Sequence, residues 1–538
     1  MALIDTGSLL GMVIPETILD WVNGDPDRGG TIAALEARNK QLRSEKKTIL
    51  AEPNVADHAD WYTDAVFGQQ QLTGVNPTTL TLATSEWLSN FKSAALAQQN
   101  DKIGQFLQNA APYSLYMQDC SWFRKAVGAA ADEVMVSDDA DRWATASVSL
   151  FHLNPAGKLH PLAIFIDWKG TAKDSVCSFN RRLQDSDSKD NEATDWPWRY
   201  AKTCSQISDW VRHEVQIHLV NTHFVEEAGI VACHRCFPSD HPVFQLLQPH
   251  WLKTLSLNAA ARAALVPAVV TKLVGISDAQ TYRFMTSVYE DFDWEALYIP
   301  NDLKRRGFPE DRLFTDPMFH NYAYGKDMSI LWRSFHKFVS AMLRPHYKTD
   351  NDVLEDIYVG QWVEEMRRPT GANLKKFPDI RTFEDLVNAA VMMIHIASVE
   401  HTAVNYLQEY YQSFVINKPP ALCTPPVASV AALQQIDEVA YMRSLPVDRP
   451  RQWLLASHLP HLLSFRVSEE QNLLTYAASK AKLSALNGDA VGRDAATGLW
   501  NDLTVMIGVF QEHSDMIDEQ TCKYEVLNPH AIANSILI

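Results

Sequence analysis

At 538 residues, 46% apolar and 10% aromatic, the chain has the length and the material for a large packed interior, which excludes general disorder. A formal charge of −17 speaks against broad electrostatic attraction to nucleic acid or to an anionic membrane, so no nucleic-acid partner is expected and an anionic ligand would need a local basic group. Seven cysteines, an odd and sparse set, suit a reducing compartment better than a disulfide framework; Cys233 and Cys236 form a CxxC with no second pair at zinc-site spacing and read as core thiols.

Residues 1–55 carry short apolar runs and the charged stretch AALEARNKQLRSEKK, which reads as a solvent-facing helix in an N-terminal extension packed on the main body. Neither a basic leader nor the roughly eighteen consecutive apolar residues of a membrane span occurs, so a cytoplasmic location is expected. From Trp61 a helical start breaks at Gly74 and Asn76-Pro77. Ser147 to Trp168 alternates around Asn154-Pro-Ala-Gly157 and predicts a small β-hairpin, with strands confined to that neighbourhood. Lys169 to Asp195 is polar and acidic and reads as an exposed loop, after which helical periodicity sets in at once with WPWRYAKTCSQISDW. Further on, Pro267 predicts a kink or a break. Tyr298–Phe319 reads as a structured loop, Lys326 to about Pro345 as a long helix, and Phe383 to Tyr411 as a helix apolar on most faces that crosses the middle of the protein. GDAVGRDAA reads as an exposed connection, and the chain ends in NSILI, an apolar tail where most termini are polar.

The stretch Arg212 to Arg262 holds six of the eighteen histidines, among them His213, His218, His223, His241 and His250. The first three recur every five residues. At about 100° per residue a five-residue step leaves side chains roughly 140° apart on an α-helix, poor geometry for sharing one metal. A π-type bulge brings residues five apart towards one face, so the spacing is met either by a metal on a distorted helix or by three unrelated, hydrogen-bonded histidines. In the central helix His401 and Asn405 lie four apart on one face of an otherwise apolar segment, and both need buried partners, a metal or neighbouring helices.

Taken together, HEVQIHLVNTH, the downstream His241 and His250, HTAVN and the terminal NSILI resemble the lipoxygenase family. The resemblance extends over most of the chain through WYTDAVFGQQQLTGVNP, LHPLAIFI, WPWRYAKTCSQISDW, SDHPVFQLLQPHWLKTLSLNAAAR, YIPNDLKRRG and HYKTDNDVLEDIYVGQW, in family order. It implies a mainly α fold: one large helical bundle, residues 1–538, around a long central helix with a π-helical distortion and a small β-hairpin or sheet. It also implies the shorter microbial type, without the N-terminal PLAT β-barrel. Peripheral membrane contact would then use exposed apolar side chains of the catalytic body.

Carried over by position, the resemblance makes His218, His223, His401, Asn405 and the Ile538 main-chain carboxylate the metal ligands, and leaves His213, His241 and His250 structural. The metal it implies is non-haem iron, with manganese as the alternative, since neutral imidazoles with oxygen donors suit either. A cation would also neutralise the carboxylate of a buried apolar terminus. The implied reaction is O2 insertion into a polyunsaturated fatty acid after bis-allylic hydrogen abstraction, giving a hydroperoxide. Ala261 falls at a stereochemical switch and implies an S product, Leu265 looks like the apolar clamp over the pentadiene, and Trp210 matches a position that sets pocket depth. Arg262 is a candidate for the substrate carboxylate, with a structural salt bridge as its other reading. Hydroperoxide isomerisation on the same scaffold and a silent lipid-binding protein are the rival functions.

Overall fold

The computed structural model describes residues 31–45, 52–464, 467–519 and 521–538. Most of the extension expected at residues 1–55 lies outside that range; within it, Ile32–Glu45 is helical, with Ile32 buried and Arg43 paired to Asp57. The rest is a mainly α body with one small sheet, as the sequence implies.

The sheet is larger than a hairpin. β1 (Thr81–Leu82), β2 (Leu115–Asp119), β3 (Val148–Leu153), β4 (Leu159–Phe165) and β5 (Cys177–Phe179) lie in sequence order, all antiparallel. The predicted hairpin is β3–β4. Its turn uses Asn154, whose side chain accepts from Lys158 N at 3.0 Å, and Gly157 at φ +79, a conformation that favours glycine. The flanking strands are short, and β5 lies inside the stretch expected to be an exposed loop. That stretch is also anchored by its charges: Arg182 and Glu192, both buried, reach Asp64. Asp64 is buried too and pairs with Lys202 and Arg182 while accepting from Trp198 Nε1 at 2.7 Å. Against the opposing effect of burial, Lys202 and Arg182 hold its carboxyl well below the usual range.

The sheet positions the helix that leads to the histidines. In α1 (Trp196–Val211), Ser205 and Ser208 hydrogen-bond Ser149 and the Ser147 amide at 2.7 and 3.0 Å. Asp209 accepts from Asn76 Nδ2 at 2.8 Å and pairs with Lys418. The axis then runs without interruption through a π-helical segment, Arg212–Phe224, into α2 (Val225–Cys236). Cys233 is buried in α2, and burial pushes its thiol well above the ordinary value, as a core thiol requires.

Two further π segments occur, one of them in the central helix, where the resemblance implies a π-helical distortion. α3 (Thr254–Ala260) continues as π over Ala261–Val270 and ends in α4 (Thr271–Leu273). Pro267 sits inside this π segment. A proline lacks the N–H and crowds the preceding turn; the wider register accommodates it, so the helix continues instead of breaking. The tract Tyr298–Phe319 is also more helical than its proline and glycine content suggests, with turns over Ile299–Arg306 and Glu310–Leu313.

α5 (Ala323–Leu343) matches the predicted long helix. The central helix begins at α6 (Phe383–Ile394), capped by Thr382, whose hydroxyl accepts from Asp385 N while Asp385 accepts from the Thr382 amide. It passes through a π segment, His395–Glu400, into α7 (His401–Asn405). Except for Glu400, residues 389–405 are buried throughout. The span Phe383–Gln412 is long and apolar enough to cross a membrane, but 89% of its most apolar window is buried inside this body, as a core helix requires. Thr254–Leu273 passes the same test with only 33% buried. Near the C-terminus α8 (Leu473–Leu486) and α9 (Ala490–Asp515) pair, joined by a turn at Gly488, so most of GDAVGRDAA is the first turns of α9.

Candidate metal centre

The π segment Arg212–Phe224 brings His218 and His223 together, and α7 brings His401 to them. His223 Nε2 stands 3.3 Å from His218 Nε2 and 3.2 Å from His401 Nε2, and all three rings are buried. Among the described residues this is the one group of three or more His, Cys, Asp or Glu side chains with ligand atoms within 4.8 Å of one another.

His213 is not part of it. Its Nε2 donates to the Val404 carbonyl at 2.7 Å and its Nδ1 accepts from Gln412 at 3.2 Å, which ties the π segment to the central helix. His241 caps the helix Pro242–Leu247 by accepting from Val243 N, and its other nitrogen meets Asp356 at 3.1 Å.

The C-terminal tail threads between these helices. Ser398 Oγ donates to Ala533 O at 2.5 Å, Ala533 N donates to Thr402 Oγ1 at 3.2 Å, and His250 Nδ1 donates to Asn534 O at 2.7 Å. Ile536 is fully buried, and the Ile538 main chain reaches the His401 ring. Asn405, one turn beyond His401, is also fully buried; its Oδ1 accepts from Gln408 Nε2 at 2.6 Å.

The electrostatics suit a cation. Burial, then the neighbouring His218, holds His223 down at about 3, and burial beside the other two rings keeps His401 far below its ordinary value, so His223 and His401 are neutral. Three imidazole nitrogens within 4.8 Å of one another in a buried site are placed to give their lone pairs to one cation. Around them Glu214 Oε2, His401 Nδ1, Asn405 Nδ2 and Gln408 Oε1 are buried without a hydrogen-bond partner. Such clustering of orphaned polar atoms is costly unless an ion or water takes them up. Nitrogen donors with carboxamide and carboxylate oxygens nearby, and no thiolate, fit a non-haem transition metal.

Sequence reasoning missed three residues that support the cluster. Glu214 lies 3.8 Å from His218 Nδ1; despite burial, the neighbouring His213 and His218 rings bring its carboxyl down to about 2, so it stays ionised. Asn258 bridges both the ring and the main chain of His223. Gln408 orients Asn405 from the start of the next helix, and its three-residue offset in sequence was the one available signal.

Of the remaining candidates, Trp210 and Leu265 belong to one apolar cluster with Val215, Leu219 and Val266. Ala261 opens the π segment of the neighbouring helix and is partly exposed. Arg262 does not stand free for a carboxylate: it is 49% exposed, pairs with Glu227 and lies 5.9 Å over the Phe224 ring. A cavity of about 460 Å³ runs beside the same helices, lined by Arg212, Gln216, Ile217, Asn221, Met392 and Ile396 among others, and none of the three clustered histidines borders it.

A family model described as Lipoxygenase matches residues 133–482. A manganese lipoxygenase of Pleurotus sapidus is 47% identical over 497 residues, 91% of this chain and 76% of its own length. The crystal structure of a fungal lipoxygenase from Fusarium graminearum superposes with a TM-score of 0.91 at 37% identity, covering 99% of this chain and 88% of that one. Some relatives are much longer: the allene oxide synthase-lipoxygenase protein of Plexaura homomalla is 24% identical over 70% of this chain, which spans 35% of it.

Proposed function

The chain belongs to the lipoxygenase family, and from that premise we infer that it is a fatty-acid dioxygenase whose non-haem metal is held by His218, His223 and His401, with Asn405 and the Ile538 main-chain carboxylate completing the set. The observation that carries this reading is the convergence of three imidazole Nε2 atoms, at 3.2 and 3.3 Å, in a buried site. When bound, the metal supplies the one-electron chemistry that removes a bis-allylic hydrogen from a polyunsaturated chain.

The protein's own groups hold and shape the site. Glu214 and Asn258 stand at the far nitrogens of His218 and His223, and Gln408 turns the Asn405 amide. The anchored tail keeps the terminal carboxylate beside His401. Trp210, Leu265, Val215 and Val266 offer an apolar wall, where a pentadiene can be held in one orientation while water is kept out. Ala261 supports an S configuration for the hydroperoxide.

The donor set suits iron and manganese alike. The relative at 47% identity is a manganese enzyme by name, which moves our first expectation from iron to manganese. The test is to load purified full-length protein with each metal separately, measure metal content, and follow conjugated-diene formation from linoleic and arachidonic acids. Diene formation with one metal identifies both activity and cofactor. Full occupancy with either metal and no diene from either acid would falsify the dioxygenase reading, and turnover of added fatty-acid hydroperoxide would then point to isomerisation.

A further inference from the structure

Asn258 is fully buried in α3 and spends both ends of its amide on one residue of another helix. Its Nδ2 donates to the His223 main-chain oxygen at 2.7 Å, and its Oδ1 lies 2.8 Å from His223 Nδ1. The orientation of a carboxamide is often ambiguous, but here it is fixed: a carbonyl oxygen can only accept, so the end facing it must be the NH2. The other end is therefore the oxygen, and an oxygen can only accept from His223 Nδ1. That nitrogen must carry the proton. In a neutral imidazole this leaves the lone pair on Nε2, the atom that faces His218 and His401.

The other two rings are held differently. His218 has the Glu214 carboxylate 3.8 Å from its Nδ1, and His401 Nδ1 has no hydrogen-bond partner. Among the three, His223 alone has its tautomer set by a direct hydrogen bond to a side chain. Asn258 also sits three residues before Ala261 on a continuous helix, so the same amide couples the helix carrying Ala261 to the helix carrying His223.

We propose that Asn258 is a positioning residue that presents His223 to the metal by locking its Nδ1–H tautomer. The proposal rests on the metal reading given above. Two variants separate it from a purely structural role, since both lose the Nδ2 bond to the His223 carbonyl: N258D keeps an acceptor for Nδ1–H, whereas N258L, of similar size, does not. Metal affinity is measured on full-length protein by competition with a chelator, for manganese and for iron, with electron paramagnetic resonance of the loaded forms. N258L should bind metal about 10- to 100-fold more weakly than wild type, the usual cost of losing such a partner. N258D should stay within a few-fold of wild type and show an altered resonance signal, because a carboxylate makes the imidazole a stronger donor.

Equal losses in both variants, or wild-type affinity in N258L, would overturn the proposal. If N258L does not fold, N258D decides alone: lost metal or an unchanged resonance signal overturns it. Wild-type protein that takes up neither metal would instead sink the metal reading, and the proposal with it.

Discussion

His250 Nδ1 donates to the main-chain oxygen of Asn534 at 2.7 Å, across 284 residues of sequence. The bond fastens the last turn of chain before the metal site to the segment that follows α2, yet His250 touches none of the clustered rings. Burial holds its ring down at about 4, with the Asn534 carbonyl opposing the shift. Because the folded value lies below the unfolded one of about 6.5, the stability from the neutral ring is complete above about pH 6.5 and is lost as pH falls towards 4; its full size is about 3 kcal/mol. Replacing His250 by Phe removes the titrating group and orphans a carbonyl, a cost of about 1–3 kcal/mol. H250F should lower the melting temperature at pH 7.5, flatten its fall between pH 6.5 and 4, and reduce metal content although no ligand has changed. A variant with wild-type melting and metal content at both pH values would show that the tail does not depend on this bond.

Ile538 offers a more direct experiment. The anchors from Ser398, Thr402 and His250 hold residues 533 and 534, so deleting the last residue should leave the tail in place. It would nevertheless withdraw the terminal carboxylate by one residue, about 3.5 Å, beyond any coordination distance. The expected result is metal-depleted protein with at least a hundredfold loss of diene formation and nearly unchanged melting of the metal-free form. Wild-type metal content in the truncated chain would remove Ile538 from the ligand set.

These two tests concern parts of the protein that were unequally legible. The five-residue spacing of His213, His218 and His223 was enough to expect a π distortion, because an α-helix cannot put those residues on one face. The π segments at Ala261–Val270 and His395–Glu400 carry no such marker: alanines, valines and isoleucines are equally at home in either register, and only tertiary packing selects between them. The sheet was read as a hairpin because β3 and β4 are long and bounded by turn residues, whereas β1 and β5 have two and three residues, too few to show an alternation. The acidic loop misled for a different reason. Polar composition predicts exposure unless charges find partners, and Arg182 and Glu192 find theirs on Asp64 and Lys202, far away in sequence. Asn258 was invisible because an asparagine in a helix has no typical partner until the fold supplies one.

Ala261 opens a π segment one turn before Leu265, on the helix that Asn258 couples to His223. If Ala261 is the stereochemical switch proposed above, its methyl group bears on how O2 reaches the pentadiene. Replacing Ala261 by Gly removes that methyl group and adds backbone freedom, so A261G should raise the R fraction of the hydroperoxide from a mainly S background and leave metal content unchanged. Chiral chromatography of the reduced linoleate product is the measurement. An unaltered enantiomer ratio would assign Ala261 to packing alone.

The network at Asp64 makes the last prediction, one about stability and not the metal. Asp64 is buried and meets Lys202 and Arg182, each at 3.0 Å. Breaking a buried pair by neutralising one side leaves uncompensated charge and costs about 3–5 kcal/mol, so D64N should be destabilised by that order at pH 7. Its folded-state value lies below the unfolded value of about 3.9, so the stabilisation exists above pH 3.9 and fades as pH falls; the wild-type advantage should narrow by about 1.4 kcal/mol per pH unit below that point. Chemical denaturation of both proteins at pH 7 and pH 3 measures the two gaps. Equal stability at pH 7 would mean that Asp64 is replaceable by a neutral amide, and a gap that does not change with pH would mean that its ionisation contributes nothing to the fold.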